Sequence, residues 1–151
     1  WLFPCCYAPP HGEDIAEVAA RLALTVDQVI ALHARTPYRL YMYGFAPGFA
    51  YLGGLSGELA ISRRDHPRPP HPAGAIMIAG GMSLVTTVAM PTGWWVIGRT
   101  PERMFAIDRD PVFLAAVGDE ISFEPVDGDA FASLEARAAA GEIVALAEKA
   151  S

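Results

Sequence analysis

Arginine and histidine side chains are concentrated in one proline-rich segment, residues 62–72, which reads Ser-Arg-Arg-Asp-His-Pro-Arg-Pro-Pro-His-Pro. Its four prolines exclude a helix and favour extended backbone. Such a segment could hold Arg63, Arg64 and Arg68 as a clamp for a carboxylate or phosphate, because a planar guanidinium pairs well with both. The alternative is a solvated basic loop that pairs with nearby acids. The sequence leaves both interpretations open.

The two histidines of this segment, His66 and His71, do not form a recognisable metal set. Neither acidic nor cysteine residues repeat around them at zinc-like spacing, so we predict no metal site in this chain. A proton-transfer role is possible for His71, since imidazole titrates near neutral pH, although a lone histidine is more often structural. The chain also shows no Ser-His-Asp or Cys-His arrangement, so we do not expect nucleophilic hydrolysis by this chain alone.

A second stretch of interest is aromatic and glycine-rich. Residues 41–55 read Tyr-Met-Tyr-Gly-Phe-Ala-Pro-Gly-Phe-Ala-Tyr-Leu-Gly-Gly-Leu. Glycine permits unusual backbone angles and close approach of a ligand, and proline fixes its own φ, so the loop could present Phe45, Phe49 and Tyr51 in a set shape. A buried turn filled by its own aromatic rings is the simpler interpretation.

Composition excludes several classes of function. The chain has 151 residues, enough for one domain with a continuous core, and a net charge of −6 gives no sign of nucleic-acid binding. Lys149 is the only lysine, which argues against a Schiff base or a P-loop lysine. Cys5 and Cys6 are neighbours and cannot link distant segments, so we expect reduced thiols in a cytoplasmic protein without a membrane span. The first residue is not methionine, and we expect further residues upstream.

Short apolar runs between glycines and prolines predict a mainly β fold with peripheral helices. Strands are predicted at 1–7, 39–43, 75–79, 84–89, 94–97, 104–107 and 120–124, and helices at 13–22 and 25–34. The acidic face of this helix pair argues against DNA binding, so we interpret the pair as a cover over a sheet. An alanine-rich tail, 130–149, is predicted to be helical with a break near Gly141. Many short strands favour a closed or nearly closed β-barrel.

Several motifs between Tyr38 and Pro101 resemble the KipI-type family, known as allophanate hydrolase subunit 1 and as the 5-oxoprolinase B subunit. They are Gly44-Phe-Ala-Pro-Gly-Phe-Ala-Tyr-Leu-Gly-Gly-Leu55, Arg63-Arg64, Pro67-Arg68, Pro72-Ala-Gly74, Ile78-Ala-Gly-Gly81, Gly93-Trp94 and Ile97-Gly-Arg-Thr-Pro101. Their order and spacing make the resemblance specific. Two departures stand out, because relatives commonly carry Gln-Thr-Gly-Ile-Tyr-Pro where this chain has residues 82–87, and Pro-Gly-Gly-Trp where it has Pro91-Thr-Gly-Trp94.

The resemblance implies a cyclophilin-like β-barrel, of the carboxyltransferase subdomain C and D type, over residues 1–125. Residues 126–151 would then be a helical C-terminal extension, and the small α/β domain that precedes the barrel in the family is absent from this sequence. The resemblance further implies a homologous second subunit (KipA, similar to the 5-oxoprolinase C subunit) and a third, lactam-utilisation subunit. With ATP, bound by the complex, such proteins open 5-oxoproline to glutamate.

We therefore expect a subunit of an ATP-dependent amidohydrolase that acts on a small amide or lactam. The alternatives are a regulatory protein that inhibits a sensor histidine kinase and a carboxyltransferase half-module of a urea carboxylase. The expected catalytic residues are Arg63, Arg68 and His71, and the expected substrate-binding residues are Phe45, Pro47, Phe49, Tyr51, Arg64, Gly80, Gly81 and Arg99. Arginines in a dry cleft would stabilise anionic intermediates, and we expect the partner subunit to complete the site.

Overall fold

Seven of nine strands join in one curved sheet in the computed structural model, which describes residues 1–148. The strands are β1 (Leu2–Cys5), β2 (Tyr38–Tyr43), β3 (Ala50–Gly53), β4 (Arg68–His71), β5 (Ala75–Ala79), β6 (Met82–Val85), β7 (Met90–Thr92), β8 (Trp95–Arg99) and β9 (Glu120–Pro125). The helices are α1 (Ile15–Arg21), α2 (Val26–Arg35) and α3 (Gly128–Ala139). The predicted mainly β fold with peripheral helices is confirmed.

The large sheet has the order β1-β9-β2-β3-β6-β5-β8, and β4 pairs separately with β7. β1 runs parallel to β9, and the other neighbours in the sheet are antiparallel. Beyond the end of β1, Cys6 exchanges two backbone hydrogen bonds with Arg99 at the end of β8, at 2.9 and 3.0 Å. Because this bridge joins the first and last strands of the sheet, the sheet is a nearly closed barrel.

The barrel interior is filled by apolar side chains that alternate along the strands. Leu40, Leu52, Ile78, Ile97 and Ile121 come from five different strands and are all fully buried. Such alternation places one face of each strand on the core and the other towards solvent or the covering helices. The strands are therefore held in register by burial as well as by hydrogen bonds.

Helices α1 and α2 cover one side of the barrel, as the sequence indicated. α1 buries Ile15, Val18 and Ala19. α2 begins at the predicted cap, Thr25, whose side chain accepts a hydrogen bond from the Gln28 backbone while the Gln28 side chain accepts one from Thr25. This reciprocal pair satisfies two of the free N–H groups at the helix start.

Four predicted elements differ from the structure. The strand predicted at 84–89 is found at Met82–Val85 instead. Residues 104–107 form no strand, because their hydrogen bonds go to the neighbouring loop, from Ala106 to Val112 and from Leu114 to Met104. The turn predicted before Trp94 contains the short strand β7. The predicted tail helix ends at Ala139, where Gly141 has a φ of 96°, and the chain then extends to pair Leu146 with Leu2. The end of the predicted tail helix, from Lys149, lies outside the described residues.

Candidate functional site

A cleft of about 310 Å³ opens between the aromatic stretch and β7, and we call it the aromatic cleft. It is lined by Phe45, Phe49, Tyr51, Arg63, Pro67, Met77, Leu84, Met90, Pro91, Thr92, Gly93 and Trp94. Two aromatic pairs form its walls, with ring centroids 5.5 Å apart for Phe45 and Phe49 and 6.4 Å apart for Tyr51 and Trp94. The structure thus brings the three predicted aromatic residues together at one concave surface.

The loop that carries Phe45 is held in a tight conformation. Phe45 has a φ of 73°, in a region where residues other than glycine are uncommon, and its side chain is 75% exposed. Backbone hydrogen bonds from Gly44 to Phe49 and from Phe49 to Ala46 close the loop, and Thr87 Oγ1 donates to Pro47 O at 2.6 Å. Strained residues of this kind cluster at ligand sites, which supports a functional role for the loop.

Arg63 is the arginine that reaches the aromatic cleft. Its guanidinium lies beside Gly93, and an ideal Cβ at Gly93 would be 3.5 Å from Arg63 Nε. The next residue holds the backbone of this segment beside Gly93, because Arg64 N donates to Gly93 O at 2.7 Å. One cation among aromatic and apolar side chains suits a small ligand with one anionic group.

Arg64 and Arg68 point away from the aromatic cleft into a set of charged residues beside α1, which we call the α1 charge cluster: Glu13, Asp14, Arg64, Arg68 and His71. Arg68, with only 4% of its side chain exposed, lies 2.7 Å from Glu13 Oε1 and 3.0 Å from Asp14 Oδ2. Arg64 Nη1 lies 3.3 Å from Asp14 Oδ1. Its guanidinium also lies over the Trp95 ring at 4.8 Å. For these two arginines the structure matches the interpretation of pairing with nearby acids.

His71 lies in the same cluster, outside the aromatic cleft. Its Nδ1 is 2.9 Å from Glu13 Oε2, and its Nε2 is buried without a hydrogen-bond partner among the described residues. The hydrogen bond with His71, together with Arg68, holds the pKa of Glu13 below its usual value. The expected convergence of Arg63, Arg68 and His71 is therefore not observed.

The remaining predicted site residues also lie apart from the aromatic cleft. Gly80 and Gly81 form the turn between β5 and β6, both with positive φ. Pro47 belongs to the aromatic loop but is not a lining residue. Arg99 is at the far end of β8, where its Nε donates to Ala73 O and its Nη1 pairs with Glu135 of α3.

Sequence reasoning missed the floor and far wall of the cleft, formed by Met77, Leu84, Met90 and Trp94. Alternation in 75–79 could have indicated that Met77 faces away from Ile76 and Ile78. The pairing of β4 with β7 that brings residues 90–94 opposite Arg63 had no local signal. Thr92, one of the two departures from the family pattern, accepts a hydrogen bond from Trp94 N at 3.0 Å and so fixes the turn.

The aromatic cleft does not fit a nucleoside triphosphate. Within the described part of the chain, Arg63 is the only basic side chain that lines the cleft, and the volume of the cleft is at the low end for a ligand pocket.

Among the described residues, no three His, Cys, Asp or Glu side chains are grouped as a metal ion would require. No helix between residues 1 and 148 is long and apolar enough to cross a membrane.

Comparison with known proteins relates the chain to one family and several solved structures. The family model described as carboxyltransferase domain, subdomain C and D, matches residues 1–115. The protein named as the 5-oxoprolinase B subunit from Bacillus subtilis is 42% identical over 120 residues, which are 80% of this chain and 50% of that protein. The protein of the same name from Escherichia coli O157:H7 is 40% identical over 81% of this chain and 56% of that protein. The chain thus spans about half the length of these relatives.

The solved structures agree with the same fold. A conserved uncharacterised protein of Pyrococcus horikoshii, PH0987, superposes with a TM-score of 0.82 at 40% identity, over 87% of this chain and 61% of that one. The urea carboxylase of Kluyveromyces lactis superposes with a TM-score of 0.66 over 88% of this chain and 14% of that one, and at 13% identity it shows the fold alone. The family match covers three quarters of the sequence, and it includes the arginine and aromatic motifs from which the resemblance was drawn. This chain belongs to the family of carboxyltransferase subdomains C and D, the KipI-type family.

Proposed function

We propose that the chain is the barrel part of a subunit of an ATP-dependent amidohydrolase that acts on a small amide or lactam. The observation that carries the proposal is the aromatic cleft with Arg63 in a chain 42% identical to a protein named as the 5-oxoprolinase B subunit. A homologous second subunit and a third subunit would complete the enzyme. The cleft does not fit ATP, so the nucleotide would bind elsewhere in the complex.

The chemistry assigned to this chain is the binding and stabilisation of an anion. Opening of an amide driven by ATP passes through negatively charged species, and a guanidinium at the edge of a cleft stabilises developing charge. The aromatic rings would hold the body of the ligand and exclude water from it. The exposed Phe45 ring leaves one side of the cleft open, and a partner subunit would cover that side.

The test is a reconstituted enzyme made from the full-length protein with its partner subunits. We expect glutamate release from 5-oxoproline that depends on ATP. Replacing Arg63 with alanine should lower kcat about 100-fold, the usual effect of removing one group that stabilises an oxyanion. Replacing Arg35, an exposed arginine at the end of α2, is the matched control and should leave kcat within twofold.

Three outcomes would count against the proposal. Absence of turnover in a folded and fully assembled complex would exclude lactam opening. Unchanged kcat in Arg63→Ala would show that the aromatic cleft is not the reaction site. Loss of subunit assembly in the same variant, measured by size-exclusion chromatography, would instead favour a docking surface, as the regulatory alternative requires.

A further inference from the structure

A second cavity, of about 240 Å³, lies between the end of β8 and helix α3. Its barrel side includes Gly74, Thr86, Arg99, Thr100 and Phe105, and its helix side includes Glu135 and Ala138. None of the residues of the aromatic cleft lines it. It is too small for a nucleotide but large enough for a molecule of a few carbon atoms.

Arg99 is fixed at the edge of this cavity. Its Nε donates to Ala73 O at 2.8 Å, and its guanidinium carbon lies 5.3 Å from the centre of the Phe131 ring. Only 20% of the side chain is exposed. Two contacts therefore orient the guanidinium, while its Nη1 is directed at a carboxylate, Glu135 Oε2, at 3.0 Å.

The partner of Arg99 is supplied by a part of the chain beyond the range that the family model matches. The family match ends at residue 115, so Arg99 belongs to the family domain whereas Glu135 lies in α3 beyond it. The Glu135 side chain is 46% exposed and can rotate into solvent without burying its charge. The Arg99 guanidinium is therefore held in place on the barrel, whereas the Glu135 carboxylate on α3 can be replaced by another anion.

The other carboxylate at the cavity cannot replace it. Glu102 is fully buried, and its Oε2 accepts hydrogen bonds from the backbone of Val144 and Ala145 at 2.6 and 2.7 Å. Its Oε1 accepts one from Arg103 N and lies 3.6 Å from Arg109 Nη1. Arg103 lies 3.9 Å from its own acid, Asp108, so when Glu135 turns away, Arg99 is the cation at the cavity that loses its acidic partner.

We propose that this cavity binds a small carboxylate with a short apolar body, that Arg99 receives the carboxylate, and that Glu135 is a built-in competitor for the same guanidinium. The Glu135 side chain beyond its Cα is a propionate group, so its contact with Arg99 is the one that such a ligand would make. The threonine and alanine side chains leave room for a body of two or three carbons. This inference does not depend on the proposed function of the aromatic cleft.

The probe is propionate, with propionamide as the uncharged comparison, titrated into the ¹⁵N-labelled full chain at constant ionic strength. We expect shifts at the Arg99 Nε–H and at the Gly74 and Thr100 amides. The Glu135→Ala variant should bind propionate about fivefold more tightly than the unmodified chain, because a competing ion pair of ordinary strength is removed. Propionamide should produce no saturable shift in either protein.

Glu142→Ala is the matched control, because Glu142 also forms an ion pair on the C-terminal segment, with Arg137 at 2.8 Å. It should leave propionate affinity unchanged. Glu135→Gln keeps the packing of α3 and should also tighten binding, so the test does not rely on the alanine variant alone. Equal propionate affinity with and without the Glu135 carboxylate, or equal binding of propionamide, would overturn the proposal.

Discussion

Arg63 and Arg64 are neighbours in sequence, yet their side chains lie on opposite sides of the segment that carries them. Adjacent side chains in extended backbone point in opposite directions, so one guanidinium lies in the aromatic cleft and the other pairs with Asp14. The sequence indicated that this segment was extended and could bind an anion. It could not indicate which arginine would form an ion pair, because the acidic partner, Asp14, lies fifty residues before Arg64 and is positioned by α1.

His33 belongs to a buried chain of polar groups that holds α2 on the barrel. Ser83 Oγ donates to Met77 O, so His33 Nε2 donates to Ser83 Oγ at 3.2 Å, and His33 Nδ1 accepts from the Tyr7 hydroxyl at 2.7 Å. The order Ser-His-Tyr resembles that of a hydrolase triad. All three residues are buried, however, and the serine hydroxyl is committed to a backbone carbonyl, so the chain is structural.

The pH dependence of stability should report His33. Burial disfavours the imidazolium and lowers the pKa of His33 to about 3, whereas the unfolded chain takes up the proton near pH 6.5. The contribution to stability is therefore complete above pH 6.5 and is lost as the pH falls towards 3. We expect the free energy of unfolding in urea to decrease by about 2 kcal/mol between pH 7.5 and pH 5.

The variant His33→Gln separates this effect from the other titrating groups. It should be less stable at both pH values, but the part of the decrease due to His33 should disappear. A decrease of the same size in the variant and in the unmodified chain would show that His33 is not its source.

Individual elements were predictable where the local pattern and the tertiary role agree. The strand at 75–79 has the predicted bounds, and α2 begins at its predicted cap. The apolar run 104–107 has the composition of a strand, but its hydrogen bonds go to the neighbouring loop residues 112–114 and not to a strand of the barrel. The alanine-rich tail has the composition of a helix, but tertiary contacts with Leu2 and Glu102 hold it extended after Gly141.

Closure of the barrel by β1 and β8 depends on a glycine. An ideal Cβ at Gly98 would lie 2.7 Å from Cys5 Sγ and 3.2 Å from Cys6 O, and all three residues are buried in this contact. Gly98→Ala should therefore lower the free energy of unfolding by about 1–3 kcal/mol, the usual cost of overpacking a core. Chemical denaturation measures this change directly.

Gly128→Ala is the matched control. A Cβ at Gly128 meets no atom within 4 Å, and this glycine is the first residue of α3, where alanine is the better helix former. The control should be neutral or slightly stabilising. Equal stability of Gly98→Ala and the unmodified chain would mean that the β1–β8 contact is looser than the structure indicates.

At the scale of the whole molecule, the barrel and its C-terminal segment form one packed unit. α3 buries Phe131 and Ala138, and the Phe131 ring packs against the His11 ring with centroids 4.0 Å apart. Barrel topology was predictable from many short strands and from the resemblance to a family. The position of the C-terminal segment was not, because it depends on a carboxylate, Glu102, that lies forty residues earlier in the chain.

Glu102 should control the attachment of this segment, because its buried carboxylate accepts the backbone N–H groups of Val144 and Ala145. Hydrogen bonds to a charged acceptor contribute about 1.5–3 kcal/mol each. Glu102→Gln, which removes the charge but keeps the shape, should therefore raise amide exchange at these two residues at least tenfold.

Two controls accompany this measurement. Amides of Ile76 and Ile78 in β5 should keep their protection, since they belong to the barrel sheet. The same replacement at Glu142, whose carboxylate pairs with Arg137 on the surface, should leave exchange at residues 144–145 within threefold. Equal protection of Val144 in both variants would mean that apolar packing, and not the Glu102 carboxylate, holds the C-terminal segment on the barrel.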